Sequence, residues 1–361
     1  MTENDRKTPV SEPESVEILN LESALAFQKE SLQAVSRTFA LTIPRLPNGL
    51  REAVGNGYLL CRIADTIEDD PNLPYAEKAY WQKRFLEVVE GRDSAANFAC
   101  EYGSVMAASL SAGEHELIRN TPLVIRLTHS FNPAQRTALA RCVRIMGTGM
   151  AEFQQQASRS GLPDGAAMDR YCYVVAGVVG EMLTSLFVDY EPRLCSKEEE
   201  MQRLAISFGQ GLQMTNILKD IWTDWERGVL WLPRSCLLAH GCHPEMLHPG
   251  TEDPGFRGAL LELIQMAATH LANAMQYTMK IPADQTGMRD FCLWAIAMAV
   301  LTLRRISANP HFCSGEEVKI GRDSVYRVVW MTRFLHRSNG LLDLAFRVGA
   351  KPLTVVREPA C

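Results

Sequence analysis

The sequence predicts an all-α fold, and three observations carry that prediction. From Leu19 onward apolar residues recur at helical spacing along nearly the whole chain, with turn signals between segments. No run alternates apolar and polar residues with period two between turn residues, as a half-buried strand would. With 361 residues, 47% hydrophobic and 22% charged, the chain has ordinary globular composition and enough length for a sizeable core. No internal repeat is visible. The expected organisation is a flexible tail over residues 1–16, rich in Glu, Ser, Thr and Pro, then one helical domain over 17–349 and a short tail over 350–361.

Each element has its own signal. Pro71-Asn72-Leu73-Pro74 closes the first helical region. Asn132 followed by Pro133 reads as an N-cap with proline at the first helical position. Gly161-Leu162-Pro163 is a turn, and Asp164 through Tyr190 is the next long helix, closed by Glu191-Pro192. Lys197 through Arg227 forms another. The stretch from His240 to Pro254, with its Gly and Pro, reads as a loop. Phe256 through Met279, Arg289 through Ser307 and Asp323 through Val348 complete the set.

Composition excludes several function classes. Lys plus Arg is 37 and Asp plus Glu is 42, a net charge of −5. A chain of that balance is not held on nucleic acid by bulk charge, so a polyanionic ligand needs local cations or metal ions. The ten cysteines are scattered, with no C-x-x-C pair, which argues against a zinc ribbon and for free thiols in a reducing cytosol. The polar N-terminus carries no apolar h-region. The uncharged run from Phe291 to Leu303 is too short to cross a bilayer and is flanked by Arg289, Asp290, Arg304 and Arg305, so a buried core helix is expected there. With Cys361 as the last residue, no prenylation box is expected.

Two acidic clusters carry the chemistry. The first is CRIADTIEDDP. At about 100° per residue, Tyr58, Arg62, Asp65, Glu68 and Asp69 share one helix face, while Leu60, Ile63 and Ile67 lie opposite and Asp70 falls off the acidic stripe. A solvated surface stripe is the plain alternative. Against it, three carboxylates on one face repel, and only Arg62 compensates locally. The second is LQMTNILKDIWTDWERG. Gln213, Asn216, Asp220, Asp224 and Arg227 share an arc about 80° wide, and Ile217, Leu218, Ile221, Trp222 and Trp225 fill most of the rest. A polar stripe on a helix that is otherwise apolar must face something polar inside the fold. A salt-bridge network with Arg62 would satisfy it, but the two clusters hold more carboxylates than nearby cations.

Two opposed carboxylate faces make a site for hard divalent cations. Mg2+ prefers oxygen ligands and is commonly completed by substrate phosphates. Arg37, Arg62, Lys219 and Arg227 could neutralise the remaining charge. Such a site can draw a diphosphate off an allylic carbon. The carbocation left behind needs a dry pocket with aromatic faces.

Five segments then resemble one family. SRTFA (Ser36 to Ala40), RIADTIEDD (Arg62 to Asp70), YCYVVAGVVGE (Tyr171 to Glu181), LQMTNILKDIWTD (Leu212 to Asp224) and RDFCLWAIAMAVLTL (Arg289 to Leu303) are similar to the squalene and phytoene synthases, over roughly Ser36 to Phe334. The resemblance implies a single-domain terpenoid synthase bundle with a central cavity, and a prenyltransferase acting on farnesyl diphosphate. It implies Mg2+ held by Asp65, Glu68 and Asp69 for one diphosphate, and by Asn216, Asp220 and Asp224 for the other. Ser36, Arg37, Phe39, Tyr58, Arg62, Gln213, Asn216, Lys219 and Arg227 would line the diphosphate and prenyl sites. Tyr171 matches a tyrosine with a proton-handling role, and Phe291 an aromatic facing the cation; core packing is the alternative for both. Ala176, Gly177 and Gly180 are small enough to let their helix approach a neighbour or a prenyl chain.

Within the family, Phe291 to Leu303 followed by EEVKIGRDSVYRV (Glu316 to Val328) looks more like the squalene synthases, which use NADPH to quench the second cation. Lys319 and Arg322 lie where that branch places basic residues for the nucleotide phosphates, with a solvated basic loop as the alternative. Three departures bear on that step: Lys219 where arginine is commoner, Gly321 interrupting the basic run, and Ile296 where glutamine is usual. No G-x-G-x-x-G fingerprint is present, so a nicotinamide cofactor is not expected on a Rossmann domain. Enzymes that stop at presqualene diphosphate, hydroxysqualene or dehydrosqualene, or make phytoene, are the competing expectation. A non-catalytic scaffold would be expected to lose one cluster, and both are complete. The reading expects a cytoplasmic protein in loose peripheral contact with a membrane, and neither nucleic acid nor an obligate protein partner.

Overall fold

The computed structural model describes residues 12–36 and 38–353. The helices, in chain order, are α1 (Glu12–Val35), α2 (Phe39–Thr42), α3 (Leu50–Asp69), α4 (Tyr75–Val89), α5 (Ala95–Val105), α6 (Ala112–Arg119), α7 (Thr121–Ser130) and α8 (Pro133–Gln156). There follow α9 (Gly165–Cys172), α10 (Val178–Tyr190), α11 (Glu198–Glu226), α12 (Arg234–Ala239), α13 (Pro254–Lys280), α14 (Thr286–Ala308), α15 (Gly315–Val318), α16 (Arg322–Leu335) and α17 (Asn339–Ala350). Among the described residues the only β pairing is one isolated bridge, Leu162 to Pro233. The all-α expectation holds.

Local chemistry explains the boundaries. Asn132 caps α8 by accepting from Gln135 N at 2.9 Å, with Pro133 at the first position. Asp164 caps α9 by accepting from Ala167 N at 2.8 Å. The helix read from Asp164 to Tyr190 contains a π-helical turn, Tyr173–Gly177, between α9 and α10. Helix α1 begins at Glu12, ahead of the Leu19 at which the sequence pattern turns helical. The helix expected over Asp323 to Val348 is two helices. His336 is held at the corner by the Asp290 carboxylate (2.7 Å) and its carbonyl accepts from Arg289 (2.8 Å), so that carbonyl is diverted from the helix; Ser338 then caps α17. Asp290 and Arg289 are therefore buried partners, with Arg45 also on Asp290 at 2.9 Å, and not the exposed flanks of an apolar run.

Two apolar cores flank the middle of the molecule. One gathers α1, α3–α8 and α10; the other gathers α9 and α11–α14 with residues of α16 and α17. Helices α11 and α14 brace both: Met201 and Ala205 lie in the first core and Met214 to Trp222 in the second, and Phe291 and Leu293 divide the same way. Glycine sets how closely the braces pack. A Cβ on Gly209 would stand 2.2 Å from the Ala176 carbonyl oxygen, and one on Gly180 2.3 Å from that of Ala205. The small residues of the YCYVVAGVVGE segment thus serve a helix neighbour, α11. Valine at Gly209 would force the two backbones apart. We expect Gly209→Val to cost at least about 1–3 kcal/mol, read as a lowered midpoint of urea unfolding; an unchanged midpoint would contradict this contact.

Candidate functional site

Helix α3 buries Leu59, Leu60, Ile63, Ala64 and Ile67 and turns its acidic stripe the other way. Asp65 and Glu68 are half-buried and Asp69 is exposed. Asp70 is the structural member of the run. It is fully buried and accepts hydrogen bonds from Tyr102 Oη (3.2 Å), Ala107 N (3.2 Å) and Asn72 N (2.9 Å), which fixes the end of α3. Arg62 does not compensate the stripe alone: its guanidinium donates to Glu114 at 2.7 Å, and Glu114 is itself held by Ser111 at the start of α6. Glu68 is positioned by Gln154, which donates to its side chain (3.2 Å) and its carbonyl (3.0 Å), and by Lys78 on the same carbonyl.

Helix α11 presents the second cluster. Ile217, Leu218, Ile221 and Trp222 are buried, while Asp220 and Asp224 are half-buried and Asn216 is exposed. Lys219 pairs with Asp220 at 3.0 Å. Gln213 is half-buried on the same helix, and Arg227 is exposed just past its end.

The electrostatics join the two clusters. Burial, opposed by Arg62 and reinforced by Asp69 and Glu114, pushes Asp65 up to about 7. Burial, then Asp65 and Asp69, push Glu68 up to about 8 against Gln154 and Lys78. Burial raises Asp69 as well, against the attraction of Arg227 and Arg62. Burial, Asp220 and Asp69 push Asp224 up to about 6, against Arg227 and Lys219. Asp69 on α3 is therefore among the groups that raise Asp224 on α11, and Arg227 attracts both.

Tyr171 stands in the same field. Burial raises its phenol well above the ordinary value, and Glu68, Asp224 and Asp69 add to the rise. Its ring stacks on Trp231 (centroids 4.1 Å apart, planes 9° from parallel) and takes an edge contact from Phe153 at 5.3 Å. The phenol is thus protonated, rigidly held and placed between the acid groups.

A row of aromatics leads away from the charges. Tyr58 packs on Phe39 at 5.0 Å, Phe39 on Phe291 at 6.4 Å and Phe291 on Phe187 at 6.2 Å. Ser36 accepts from Phe39 N at 2.9 Å, and Tyr58 Oη donates to the Val35 carbonyl. The Tyr58 hydroxyl lies within the field of Arg62 and Asp65, so the row begins beside the first cluster. Arg37 lies outside the described residues.

The basic residues of the later segment divide. Gly315 packs against Asp220: a Cβ there would be 2.8 Å from Asp220 Oδ1. Lys319 follows four residues on, half-buried, paired with Glu316, its carbonyl accepting from Arg305. Arg322 is exposed at the start of α16. Ile296 is buried in the second core. Sequence reasoning missed Glu114, Gln154, Lys78, Trp231, Phe153 and Gly315. Only Glu114 left a local sign, the capping box Ser111 to Glu114, and that sign marks a helix start and not a partner for Arg62.

Comparison with known proteins agrees with this geometry. The profile of the family described as squalene/phytoene synthase matches residues 32–324. A squalene synthase of Schizosaccharomyces pombe is 27% identical over 314 residues, which cover 82% of this chain and 63% of that protein. A squalene synthase of Botryococcus braunii is 32% identical over 311 residues, covering 82% and 61%. The chain thus spans about three fifths of the length of these curated relatives. Among solved structures, TcSQS in complex with a ligand superposes with a TM-score of 0.73 at 22% identity over 94% of both chains. A dehydrosqualene synthase superposes with 0.64 at 18% identity over 88% of this chain and 98% of that one. The family match, spanning both acidic clusters and Tyr171, shows that this chain belongs to the squalene/phytoene synthase family.

Proposed function

We propose that the protein is a prenyltransferase that joins two farnesyl diphosphates to presqualene diphosphate and, with NADPH, converts that product to squalene. The observation that carries the reading is the pair of acidic stripes on α3 and α11, with Asp69 among the groups that raise Asp224 and the Tyr171 phenol raised by carboxylates of both.

The donor set fits Mg2+. Asp65, Glu68, Asp69, Asn216, Asp220 and Asp224 offer only oxygen atoms at the stripe, the hard ligands this ion takes. The local cations leave charge uncompensated: Arg62 is shared with Glu114 and Lys219 pairs with Asp220, and Asp65, Glu68, Asp69 and Asp224 all stay raised despite the cations around them. When bound, the ions supply charge stabilisation for departing diphosphate oxygens. Arg227 adds a cation at the rim of the second cluster. Tyr171, neutral and fixed by Trp231, can take a proton at its oxygen as the cyclopropane closes while passing its own hydrogen toward a departing diphosphate. Phe39, Tyr58 and Phe291 offer ring faces and exclude water from the prenyl chains.

For the reductive step, the contact of Gly315 with Asp220 supports a nucleotide reaching the second cluster past Lys319. One observation favours the shorter reaction, ending at presqualene diphosphate, hydroxysqualene or dehydrosqualene: Lys319 is tied to Glu316.

A cytoplasmic protein resting on a membrane surface suits a greasy substrate. Two helical runs, Gly165–Tyr190 and Thr286–Ala308, are long and apolar enough to cross a bilayer. The second is a full 23-residue helix, longer than its uncharged run suggests. Both are spent in the fold: they carry Tyr171 and Phe291, and the second holds Asp290 in its ion pairs. The outer face of α16 and α17 is the better contact. Tyr326, Trp330 and Phe334 form an exposed stripe, flanked by exposed Arg322, Arg327 and Arg333, and Leu341, Leu344 and Val348 continue it. Aromatic and aliphatic side chains bordered by arginines suit the headgroup layer of an anionic bilayer.

Four measurements test this reading. Farnesyl diphosphate with Mg2+ should give squalene only when NADPH is added; an unchanged product would end the reductive reading and leave the shorter one. Asp65→Asn and Asp220→Asn should each lower turnover by roughly 10²–10³-fold with circular dichroism unchanged, and full activity in either would remove the metal assignment. In the metal-free protein, Asp65, Glu68 and Asp224 have folded values above the ordinary carboxylate range, so their stability contribution is present at low pH and is lost as pH rises through about 6 to 8. The thermal midpoint in chelator should fall from pH 5.5 to 8 more steeply than in Asp65→Asn/Glu68→Gln, and Mg2+ should remove the difference; parallel slopes would contradict the electrostatics. Flotation on anionic vesicles should occur and be lost in Trp330→Glu/Phe334→Glu; flotation unaffected by the change would place the contact elsewhere.

A further inference from the structure

A second cluster of metal-ligating side chains lies away from the acidic clusters, at the corner where α12 meets α13. The Cys236 sulfur, a His240 ring nitrogen and a Glu262 carboxylate oxygen all lie within 4.8 Å of one another. Cys236 and His240 are four residues apart, which puts them on one side of α12 and its cap, and Glu262 reaches them from α13. His240 Nε2 is 3.0 Å from Glu262 Oε2, and the Cys236 sulfur lies within 4.8 Å of both donor atoms.

The ring orientation is built in. Gly258 lies beneath the imidazole, where a Cβ would stand 2.6 Å from His240 Nδ1. With that edge seated on the α13 backbone, Nε2 is the nitrogen presented to Glu262. Cys236 is half-buried, and His240 and Glu262 are exposed, so an ion can enter from solvent and keep water as a remaining ligand. Neighbouring Cys242 is excluded from the group, since it is fully buried and hydrogen-bonds Asp253.

We propose that Cys236, His240 and Glu262 bind a borderline transition-metal ion, Zn2+ in chemical class, which clamps α12 to α13. Thiolate, imidazole and carboxylate together are the donor types of zinc and not of Mg2+. Bonds of about 2.0–2.3 Å in a tetrahedron set donors roughly 3.3–3.8 Å apart, a spacing reached by sub-ångström side-chain shifts from donors that already lie within 4.8 Å of one another. The charge balances: the thiol releases its proton to solvent, and one thiolate and one carboxylate neutralise a divalent ion. The clamp would act on a segment that matters, because α12 directly follows the residues that carry Arg227 and Trp231. That segment is otherwise tied at Leu230 N to the Ser158 carbonyl (3.0 Å) and at Leu162 N to the Leu232 carbonyl (2.9 Å).

Titration of the Mg2+-saturated protein with Co2+ tests the site, because a thiolate ligand gives a near-ultraviolet charge-transfer absorption that carboxylate clusters cannot. One equivalent of that absorption is expected, displaced by Zn2+, with Zn2+ raising the thermal midpoint. Cys236→Ser should abolish the absorption, His240→Ala should weaken binding by about 10–100-fold or more, and Cys313→Ser should leave both unchanged. No thiolate absorption on Co2+ addition, or an absorption that survives Cys236→Ser, overturns the proposal. Should Cys236→Ser fold poorly, Glu262→Gln serves in its place, and Co2+ affinity equal to that of the parent chain then counts against the site.

Discussion

Like charges held close together in partial burial govern this structure. Asp65, Glu68 and Asp69 share one stripe of α3, and Asp224 meets the same field from α11. A carboxylate in such surroundings is costly to ionise, and several in one space raise each other further. Nearby cations relieve the strain only in part, since four carboxylates stay raised despite them. Glu114 draws Arg62 aside, Asp220 holds Lys219, and the Lys78 ammonium bonds the Glu68 carbonyl and Gln154. Electrostatic frustration of that kind persists only where the surrounding packing is strong enough to impose it.

The packing that imposes it is the pair of braces, α11 and α14. Each runs from one apolar core into the other, so the acidic stripe of α11 cannot swing away without breaking both. The contacts of Gly209 and Gly180 set its distance from the Tyr171 helix to within a backbone-to-backbone approach. At the far end Arg45, Asp290 and His336 tie α14 to the loop before α3 and to the corner after α16. A buried ion group of this sort adds little net stability but is costly to break, so it acts as a registration device between elements.

Much of this was legible in the sequence. The helical period, the Asn132 cap and both acidic stripes were legible from residue type and spacing, because a helix maps sequence distance onto angle. Asp70 could be set apart from Asp69 by that rule, and the structure puts it at the end of α3 in a buried bonding role. What stayed hidden depends on contacts between distant elements. Trp231 sits in an irregular stretch, and nothing local to it announces a stack on Tyr171. The break at His336 was hidden for the same reason, since it is Arg289 and Asp290 that divert that residue. The close approach of Gly315 to Asp220 joins two segments whose spacing along the chain says nothing about it.

The same distinction explains how one site could serve both charge and cation. Spacing on a helix delivers a polar arc and an apolar arc, but a site for ionisation followed by carbocation chemistry needs the two graded in space. Here the gradient is built across elements. Tyr58 is its junction, with its hydroxyl in the field of Arg62 and Asp65 and its ring on Phe39. From Phe39 the rings pass to Phe291 and Phe187, well inside the first core, where water is excluded. Tyr171 is a second junction on the opposite side, with its oxygen among carboxylates and its ring between Trp231 and Phe153. In the proposed reaction a leaving group would be held where charge is dense and the cation it leaves would face aromatic surface, so each half of the reaction would meet the dielectric it requires.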